Sequence, residues 1–440
     1  MGQRGAVAKH QSNPKLREAR IRRGWTEDDL AVKLYELAAE LGEPDCAADA
    51  NQVSKWERGV RNPGRFHRPR LCLALDTGPQ ELGFEPTPRL TRDIGELKIR
   101  LVERRQFLTR TALLAGGLAV RALGVGLDRM AAALTLHAGR DPHVDGDLVR
   151  IAASLHEQLD TVAPASLMPQ VFGLLEQERE LLGERPAPRL LEATIRTAIV
   201  AGWLSYNINN RADAGACWTY AEGLARELGS DKMLAWSLGA RSTAYSVVPR
   251  RAGSPLDAAA SMALLEQAVS LAETGSDLNL RAWLYARRAE EHAVVGERRA
   301  AYSDIERAST MLGRYCEGGD DFPIMPGWRD ARLARYHGSA AQLVHDYPLA
   351  VTILTGTLAA LHPSYLPQRA MALTDLGTAY AHLPQPEVEH ACDLLGQAHA
   401  IAAPAGLGEA SRRVMRARRH LQQWAGDPCV QRLDEQLAPV

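Results

Sequence analysis

A short stretch of the chain, residues 51–70, concentrates side chains that carry positive charge. It holds six basic residues and a single acidic one, Glu57. The basic residues are Lys55, Arg58, Arg61, Arg65, Arg68 and Arg70. Clustered lysine and arginine attract phosphate groups, because nucleic-acid backbones are densely anionic. The stretch therefore predicts a nucleic-acid-binding surface.

The net charge of the whole chain hides this asymmetry. The 440 residues carry 52 basic and 53 acidic side chains, a net charge of −1. Residues 1–110 hold 21 basic and 16 acidic side chains, a net charge of +5. The remainder therefore holds 31 and 37, a net charge of −6. A basic end on an acidic body favours a nucleic-acid-binding head.

Catalytic and metal-binding motifs are absent from the sequence. It has no P-loop, no G-x-S-x-G nucleophile motif and no H-E-x-x-H zinc motif. Gly124 and Gly126 lack the third glycine of a dinucleotide-binding loop, and the six cysteines are scattered without C-x-x-C spacing. We therefore expect no enzyme activity, no cofactor and no metal ion, with reduced cysteines in a cytoplasmic protein.

Helix-capping and helix-ending residues define the elements that carry the basic stretch. Gly24 is expected to end a first helix, and Thr26 to cap a second. Asp49 is a suitable N-cap for a third helix over residues 50–58, which Gly59 would end. No segment alternates apolar and polar residues as a half-buried strand does, so the sequence predicts an all-α fold.

The blocks that make up these helices resemble the Xre-like (phage-repressor-type) helix-turn-helix domain over residues 15–86. The resemblance is carried by Leu16, Arg17, Arg20, Gly24, Trp25, Thr26, Leu30, Ala31, the run Val53-Ser54-Lys55-Trp56-Glu57-Arg58-Gly59, Arg61, Pro63 and Glu81-Leu82-Gly83. It implies that residues 50–58 form the recognition helix in the DNA major groove, with Val53 and Trp56 facing the core.

The resemblance also implies DNA contacts by polar side chains on and near the recognition helix. Amides suit adenine edges and lysine suits guanine or phosphate, whereas the arginines that follow suit phosphates. Glu57 is interpreted instead as an ion-pair partner at the helix end. The implied DNA-binding residues are Thr26, Asn51, Gln52, Ser54, Lys55, Arg58, Arg61, Arg65 and Arg68.

Two departures from the family pattern keep a second interpretation open. Glu27 stands where the family usually has glutamine, and a carboxylate there repels phosphate. The connection between Leu34 and Val53 is longer than in the compact form, so the second helix is expected to extend to Leu41. The alternative is a protein-interaction scaffold whose head does not bind DNA.

A spacing of small residues recurs through the acidic body. A small residue is followed about 12, 16 and 19 positions later by further small or apolar residues. The four sets are Gly202, Ala214, Trp218 and Ala221; Ala289, Ala301, Ile305 and Ala308; Gly338, Ala350, Leu354 and Thr357; and Gly377, Ala391, Leu395 and Ala398. Small residues let paired helices approach closely. The spacing resembles the tetratricopeptide repeat (TPR), with a generic helical bundle as the alternative.

The concave face of such a repeat array is a binding surface. Polar and aromatic residues recur near the ends of the first helices, where this groove would lie. The expected effector-groove residues are Tyr206, Asn207, Asn210, Arg241, Tyr245, Arg287, Arg288 and His292. A peptide, a protein or a small molecule is the expected effector.

The sequence therefore divides into four segments. They are a flexible N-terminus (1–14), a helix-turn-helix domain (15–86), a helical linker (87–146) and a TPR-like α-solenoid (147–440). Within the linker, Arg104-Arg105 and the apolar residues 111–120 resemble a twin-arginine export signal, but Arg121 interrupts a run too short to span a bilayer. We expect a linker helix here, with membrane tethering or export as the alternative.

Taken together, the segments resemble actinobacterial-type regulators that join an Xre-like head to a repeat body. The resemblance implies a cytoplasmic transcriptional regulator that binds double-stranded DNA. A homodimer is expected, because one head contacts only a few base pairs. The repeat body would mediate dimerisation and bind the effector, and no membrane partner is expected.

Overall fold

A computed structural model shows the described part of the chain to be helical. It describes residues 12–41, 43, 48–115, 142–182, 186–246, 255–273, 277–314, 324–325 and 328–438, with the backbone alone at 102–115, 142–147 and 255–257. No β-strand occurs among these residues, so the predicted all-α fold class is confirmed. The chain divides into two compact units, Met1–Ala122 and Leu123–Val440, which we call the head and the body. Most of the predicted flexible N-terminus and the Ala/Gly/Leu-rich segment 116–140 lie outside the described residues.

The described part of the head consists of short helices around one apolar core. They are α1 (Pro14–Arg22), α2 (Glu27–Glu40), α3 (Ala50–Glu57), α4 (His67–Ala74) and α5 (Pro88–Ala115), with a 3-10 turn at Gln80–Leu82. The core includes Leu16, Leu30, Val53, Trp56 and Leu71, each at most 3% exposed. Burying an apolar side chain of this size contributes about 1.5–3 kcal/mol. These contacts hold α3 against the helices that precede it.

Side-chain caps define the ends of the helices around α3. The Thr26 hydroxyl accepts a hydrogen bond from the Asp29 amide at 3.1 Å, and the Asp29 carboxylate accepts one from the Thr26 amide at 2.7 Å, which completes a capping box. The Asp49 carboxylate accepts the Gln52 amide N–H at 2.7 Å. Gly59 follows α3 with a φ of +71°, which a Cβ disfavours. The predicted caps and the predicted end of α3 are confirmed.

The segment interpreted as a linker begins as part of the head. Leu90 and Ile94 of α5 are buried in the head core. Leu97, one turn further on, packs with Leu37 of α2 and with Leu41 beyond it. The expected extension of the second helix towards Leu41 is confirmed, and it gives α5 an apolar surface on which to pack.

Arg104 and Arg105 belong to helix α5, in the part of the helix where the structure describes the backbone alone. Residues 116–120, the second half of the apolar run that follows, lie outside the described residues. Among the helices that the structure describes, none has the length and apolar character needed to cross a bilayer.

The body is a series of paired helices. It begins with α6 (Pro142–Glu157), a 3-10 turn (Gln158–Asp160) and α7 (Pro164–Leu181). The pairs are α8 (Pro188–Asn207) with α9 (Arg211–Leu228), α10 (Asp231–Tyr245) with α11 (Pro255–Glu273), α12 (Leu278–Val294) with α13 (Arg298–Arg314), α14 (Asp330–Leu343) with α15 (Tyr347–Ala360), and α16 (Leu366–Ala381) with α17 (Val388–Ala402). They are followed by α18 (Gly408–Ala417), a 3-10 segment (Arg418–Trp424) and α19 (Pro428–Leu437).

Small residues mark the points where paired helices touch. A Cβ added to Gly202 of α8 would lie 2.2 Å from Nε1 of Trp218 in α9. A Cβ added to Gly338 of α14 would lie 2.5 Å from the Leu354 side chain in α15. Only glycine fits at these two crossings without a shift of the neighbouring side chain. The predicted close contacts are therefore confirmed at Gly202 and Gly338, and the later positions of all four sets are buried.

The two ends of the body meet. Arg211, at the start of α9, donates a hydrogen bond of 3.0 Å to Glu409 of α18. A Cβ added to Gly408 would lie 2.8 Å from the carbonyl oxygen of Ile208, so α18 packs directly on the turn between α8 and α9. The 3-10 turn Gln158–Asp160 contacts α16. The helical pairs therefore close around a central space.

Candidate nucleic-acid interface and central cavity

Helix α3 has an apolar side in the core and a polar side towards solvent. Val53 and Trp56 are 0% and 3% exposed, so their predicted core positions are confirmed. The residues predicted to contact bases are exposed (Asn51) or half-buried (Gln52, Ser54 and Lys55). Neither Asn51 nor Lys55 uses its side chain in a hydrogen bond or ion pair with another described residue. The polar side of α3 is therefore available to a ligand.

The acidic residue of the basic stretch, Glu57, is removed from this polar side by Arg20. Nε and Nη2 of Arg20 each donate a hydrogen bond of 2.7 Å to a Glu57 carboxylate oxygen. Both residues are buried, and the hydrogen bond to Glu57 raises the pKa of the Arg20 guanidinium. The predicted ion pair is thus confirmed, and it joins α1 to the end of α3.

The residues predicted to contact phosphate differ in their surroundings. Arg58, Arg61 and Arg65 are exposed. Arg68 is half-buried, and its Nε donates a hydrogen bond of 3.0 Å to a main-chain carbonyl oxygen. Thr26 is exposed, but its hydroxyl is engaged with Asp29 in the capping box. The guanidinium groups of Arg58, Arg61 and Arg65 are therefore exposed to solvent.

Arg70 does not contribute to the predicted basic surface. It is 6% exposed, forms an ion pair with Glu43 and donates a hydrogen bond of 2.9 Å to the Phe66 carbonyl oxygen. Arg100 of α5 also donates to Glu43, at 2.8 Å. Burial raises the pKa of Glu43, but Arg100 and Arg70 outweigh it and hold the pKa below its usual value. The prediction is wrong at Arg70, because the long turn before α3 supplies a carboxylate that binds it.

A shallow depression lies at the N-terminus of α5. Arg65, Arg68 and Arg89 line it together with Thr87 and Asp93. Asp93 is 3.7 Å from Arg65, and the Thr87 hydroxyl accepts an amide N–H of the first helical turn at 3.2 Å. Three arginines against one carboxylate, at the positive end of a helix, favour an anion such as phosphate.

The body encloses a cavity lined by the first helix of every pair. It comprises about 930 Å³ of atom-free space, part of which is open to solvent at its mouth. Its lining comes from α6, α8, α10, α12, α14, α16 and α18, from the 3-10 turn Gln158–Asp160, and from Met325 and Trp328. The described residues of the second helices contribute nothing to this lining. The first helices therefore form the inner layer of the body.

Arginine and aromatic side chains dominate the cavity. The charged residues of the lining are Arg287, Arg332, Arg335, Arg413, Asp160 and Glu290, and the aromatic ones are Trp203, Tyr206, Trp283, Trp328 and Tyr336. Glu290 accepts hydrogen bonds from Arg287 at 2.6 Å and from Arg335 at 3.3 Å. Burial raises the pKa of Glu290, but the nearby guanidinium groups outweigh it and hold the pKa below its usual value.

His156 is an uncharged member of the lining. Its ring stacks on Trp236, with centroids 5.5 Å apart. Burial, together with the positive charges of Arg332 and Arg196, lowers the pKa of His156 to about 3. The imidazole is therefore neutral near pH 7.

The predicted groove residues divide into two groups. Tyr206, Asn207 and Arg287 line the cavity. The others make contacts outside the lining: Asn210 caps α9, Arg241 binds Glu222 and Tyr245, Arg288 binds Asp304, and His292 contacts Glu297. Successive residues are rotated by about 100° around a helix, so Arg287 and Arg288 point in different directions.

Several lining residues lie outside the predicted effector groove. They are Trp283, Trp328, Arg332, Arg335 and Arg413. The predicted positions lie near the C-terminal ends of the first helices, whereas these residues lie elsewhere. A register counted from the small residue of each helix would have found two of them.

Comparison with protein-family models and with curated protein sequences finds no match for the chain. Among the described residues, no group of three or more His, Cys, Asp or Glu side chains is arranged to hold a metal ion. The free cysteines described are buried: Cys72, Cys217, Cys392 and Cys429. The polar side of α3 and the central cavity are therefore the two sites from which function is inferred.

Proposed function

We propose that the protein is a sequence-specific DNA-binding transcriptional regulator. The head would bind double-stranded DNA through α3, and the TPR-like body would bind an effector. The observation that carries the proposal is the polar side of α3, where Asn51 and Lys55 are unengaged while Arg20 sequesters Glu57. Amide and ammonium groups of this kind hydrogen-bond to base edges in the major groove. The proposal assigns no catalytic activity, cofactor or metal ion to the chain.

The positive charge around α3 supports DNA binding through the polar side of this helix. Exposed Arg58 and Arg61 follow the helix directly. Arg65, Arg68 and Arg89 surround the depression at the N-terminus of α5. Phosphate contacts on the flanks of a recognition helix fix its register on the duplex, whereas contacts from the helix itself select the sequence.

A homodimer is part of the proposal. A single helix such as α3 reaches only a few base pairs, and two heads on adjacent half-sites supply the affinity and specificity of a regulator. The body would join the two copies. Sedimentation equilibrium of the full chain, with and without DNA, tests this directly, and a monomer on a single half-site would contradict it.

Selection of binding sites from a genomic fragment pool, followed by fluorescence anisotropy, tests the DNA proposal. The full chain is expected to enrich one sequence and to bind it in a salt-sensitive way. The triple variant Asn51→Ala, Gln52→Ala, Lys55→Ala should lose most of this selectivity, because each good base contact contributes about 1–3 kcal/mol of discrimination. Arg432→Ala, at an exposed position of α19, is the control. Unselective binding by the unmodified chain would contradict the proposal.

A protein-interaction scaffold is the alternative, and Glu27 is the residue that favours it. This half-buried carboxylate stands at the N-terminus of α2. If the head contacts DNA, Glu27→Gln should tighten binding by removing a charge that repels phosphate. A scaffold would keep its protein partners in the triple variant and would show no effect of Glu27→Gln on DNA.

A further inference from the structure

We propose that the central cavity binds a small organic anion, an aromatic carboxylate, which Arg335 and Arg413 hold against a wall of aromatic rings. The inference deepens the proposed function, on which the regulatory meaning of this ligand rests. The binding itself depends on the cavity alone. It can therefore be tested in the absence of DNA.

The carboxylates of the lining are already occupied. Oε1 and Oε2 of Glu290 accept hydrogen bonds from Arg335 and Arg287. Oδ1 of Asp160 accepts one from Gln368 at 3.4 Å, and its Oδ2 is paired with Arg332. All four carboxylate oxygens therefore have a protein donor. A cationic ligand would have to displace an arginine to reach them.

The arginines of the lining have donors to spare. Arg335 is 3% exposed, yet within the described part of the chain its guanidinium makes one hydrogen bond, which is 3.3 Å long. Within the described residues, Arg413 is paired with a carboxylate only at Asp375, at 3.9 Å. A guanidinium carries five N–H donors, and burying them unpaired is unfavourable. A ligand carboxylate would supply the missing acceptors.

Both arginines line the cavity, and the positive charges of both lower the pKa of Glu290. The guanidinium of Arg335 lies over the ring of Tyr336, 3.9 Å from its centroid, and this contact orients its plane. An oriented guanidinium favours the planar, two-oxygen geometry of a carboxylate.

The charge of the lining favours an anion over a neutral ligand. Among the lining residues that the structure describes, four arginines face two carboxylates, and the histidine is uncharged. Two further carboxylates, Glu291 and Asp375, contact Arg287 and Arg413 but do not line the cavity. A ligand carboxylate inside the cavity would therefore contact arginine side chains rather than these two carboxylates.

The rest of the lining favours an aromatic ring. Trp203 and Trp283 stand edge to face, with centroids 6.5 Å apart, and Trp328 and Tyr206 add further ring surface. The atom-free space of the cavity, about 930 Å³ with its open mouth included, lies in the range of about 300–1,000 Å³ that small-molecule pockets occupy. One aromatic ring with its carboxylate fits within this space.

Binding of matched acids and amides to the full chain tests the proposal. The probes are benzoate, phenylacetate and indole-3-acetate, the three corresponding amides, and inorganic phosphate, with tryptophan fluorescence and thermal shift as readouts. At least one acid should bind saturably and about tenfold or more tighter than its amide, because hydrogen bonds to charged groups contribute about 1.5–3 kcal/mol. Equal binding of acid and amide, preference for phosphate, or no binding of any acid at millimolar concentration would overturn it.

Substitution of the two arginines completes the test. Arg413→Gln should weaken the acid about tenfold or more and leave the amide unchanged. Arg335→Gln should do the same, but it also removes a contact of Glu290, so Arg413→Gln is the primary variant. Arg432→Gln, exposed on α19, is the control and should bind the acid normally. An unchanged acid affinity in a folded Arg413→Gln protein would contradict the assignment.

The two proposals fail separately. If the acid binds but no DNA sequence is selected, the cavity assignment stands and the regulator proposal falls. If DNA is selected but acid and amide bind alike, the reverse holds. If both bind, adding the acid should change the affinity for DNA, because a regulator couples the two sites.

Discussion

The head and the body place arginine in opposite environments. In the head, Arg58 and Arg61 face solvent, and the buried guanidinium of Arg20 is matched by a carboxylate at 2.7 Å. In the body, Arg335 and Arg413 line an interior cavity, and the carboxylates of Glu290 and Asp375 lie 3.3 and 3.9 Å from them. A guanidinium in water needs no protein partner, whereas a buried one does. An incompletely paired guanidinium therefore indicates a missing ligand in the body, whereas at the exposed arginines of the head it indicates nothing by itself.

The two regions also differ in what holds their helices together. In the head, a buried ion pair joins α1 to α3. In the body, glycines such as Gly202 and Gly338 let paired helices touch. An ion pair depends on both partners being present, whereas a close crossing depends on a side chain being absent. The following predictions test this contrast, beginning with the largest expected effect.

Glu57→Ala should destabilise the head strongly. It leaves the Arg20 guanidinium buried without its carboxylate, and breaking a buried ion pair in this way typically costs about 3–5 kcal/mol. Chemical denaturation of the full chain, with hydrogen exchange of α1 and α3 to localise the loss, measures the effect. The helices of the body should exchange as in the unmodified protein.

Two further variants separate the buried charge from other causes. Lys33→Ala removes an exposed ion pair with Glu36 and should change stability by less than about 1 kcal/mol. Replacing both partners, Arg20→Met with Glu57→Leu, should recover much of the lost stability, because no unpaired charge remains. If the double variant is less stable than Glu57→Ala, the ion pair does not explain the loss.

Gly202→Ala should destabilise the body by about 1–3 kcal/mol, since overpacking at a tight contact carries that cost. The new Cβ would lie 2.2 Å from the ring nitrogen of Trp218, which is itself fully buried and cannot move freely. Gly356→Ala is the matched control, because Gly356 is an exposed helical glycine with open space around it. It should be neutral or stabilising by up to about 1 kcal/mol. Equal effects of the two substitutions would contradict the close crossing.

The sequence was most informative where one residue decides a local outcome. Thr26, Asp49 and Gly59 each act through their own backbone neighbours, so the caps and the end of α3 followed from short patterns. Gly202 and Trp218 were found because a repeated spacing marks contacts between adjacent helices. Arg70 was misplaced because its partner, Glu43, is distant in sequence and belongs to an irregular turn.

The cavity was harder to predict because it depends on which way each helix faces. Trp283, Arg332 and Met371 each stand six residues before the small residue of their own helix, and all three line the cavity. This shared register identifies the inner face of consecutive first helices. This register does not predict Arg413, because Arg413 lies on α18, which belongs to none of the helix pairs. It lines the cavity because α18 packs against the earlier helices of the body.

Acidification should weaken the body through His156. Its folded pKa of about 3 lies below the value of about 6.5 expected in the unfolded chain. Between these values the unfolded chain binds a proton that the folded chain does not, so stability falls as the pH falls. From pH 7 to pH 5 the loss from this group is about 2 kcal/mol. Above about pH 8 the group contributes almost no pH dependence, because it is then neutral in both states.

His156→Phe isolates this contribution, since it keeps a ring against Trp236 and removes the titration. The unmodified chain should lose about 2 kcal/mol more than the variant between pH 7 and pH 5 in denaturant titrations. Burial raises the pKa of Glu178, which acts in the opposite direction but is present in both proteins. Parallel pH profiles of the two proteins would show that His156 is not buried neutral.

The smallest predicted effect is on DNA affinity, and it distinguishes an exposed arginine of the head from an arginine that faces the cavity. Arg61→Ala should weaken binding to every DNA sequence by a similar factor and make the salt dependence shallower by about one phosphate contact. Arg413→Gln removes the same charge from the body and should leave the salt dependence unchanged, because Arg413 faces the cavity. Anisotropy titrations at several salt concentrations compare the two variants. If Arg61→Ala instead alters the preferred sequence, Arg61 contacts bases; if both variants change the slope alike, the exposed arginines of the head have no special part in binding DNA.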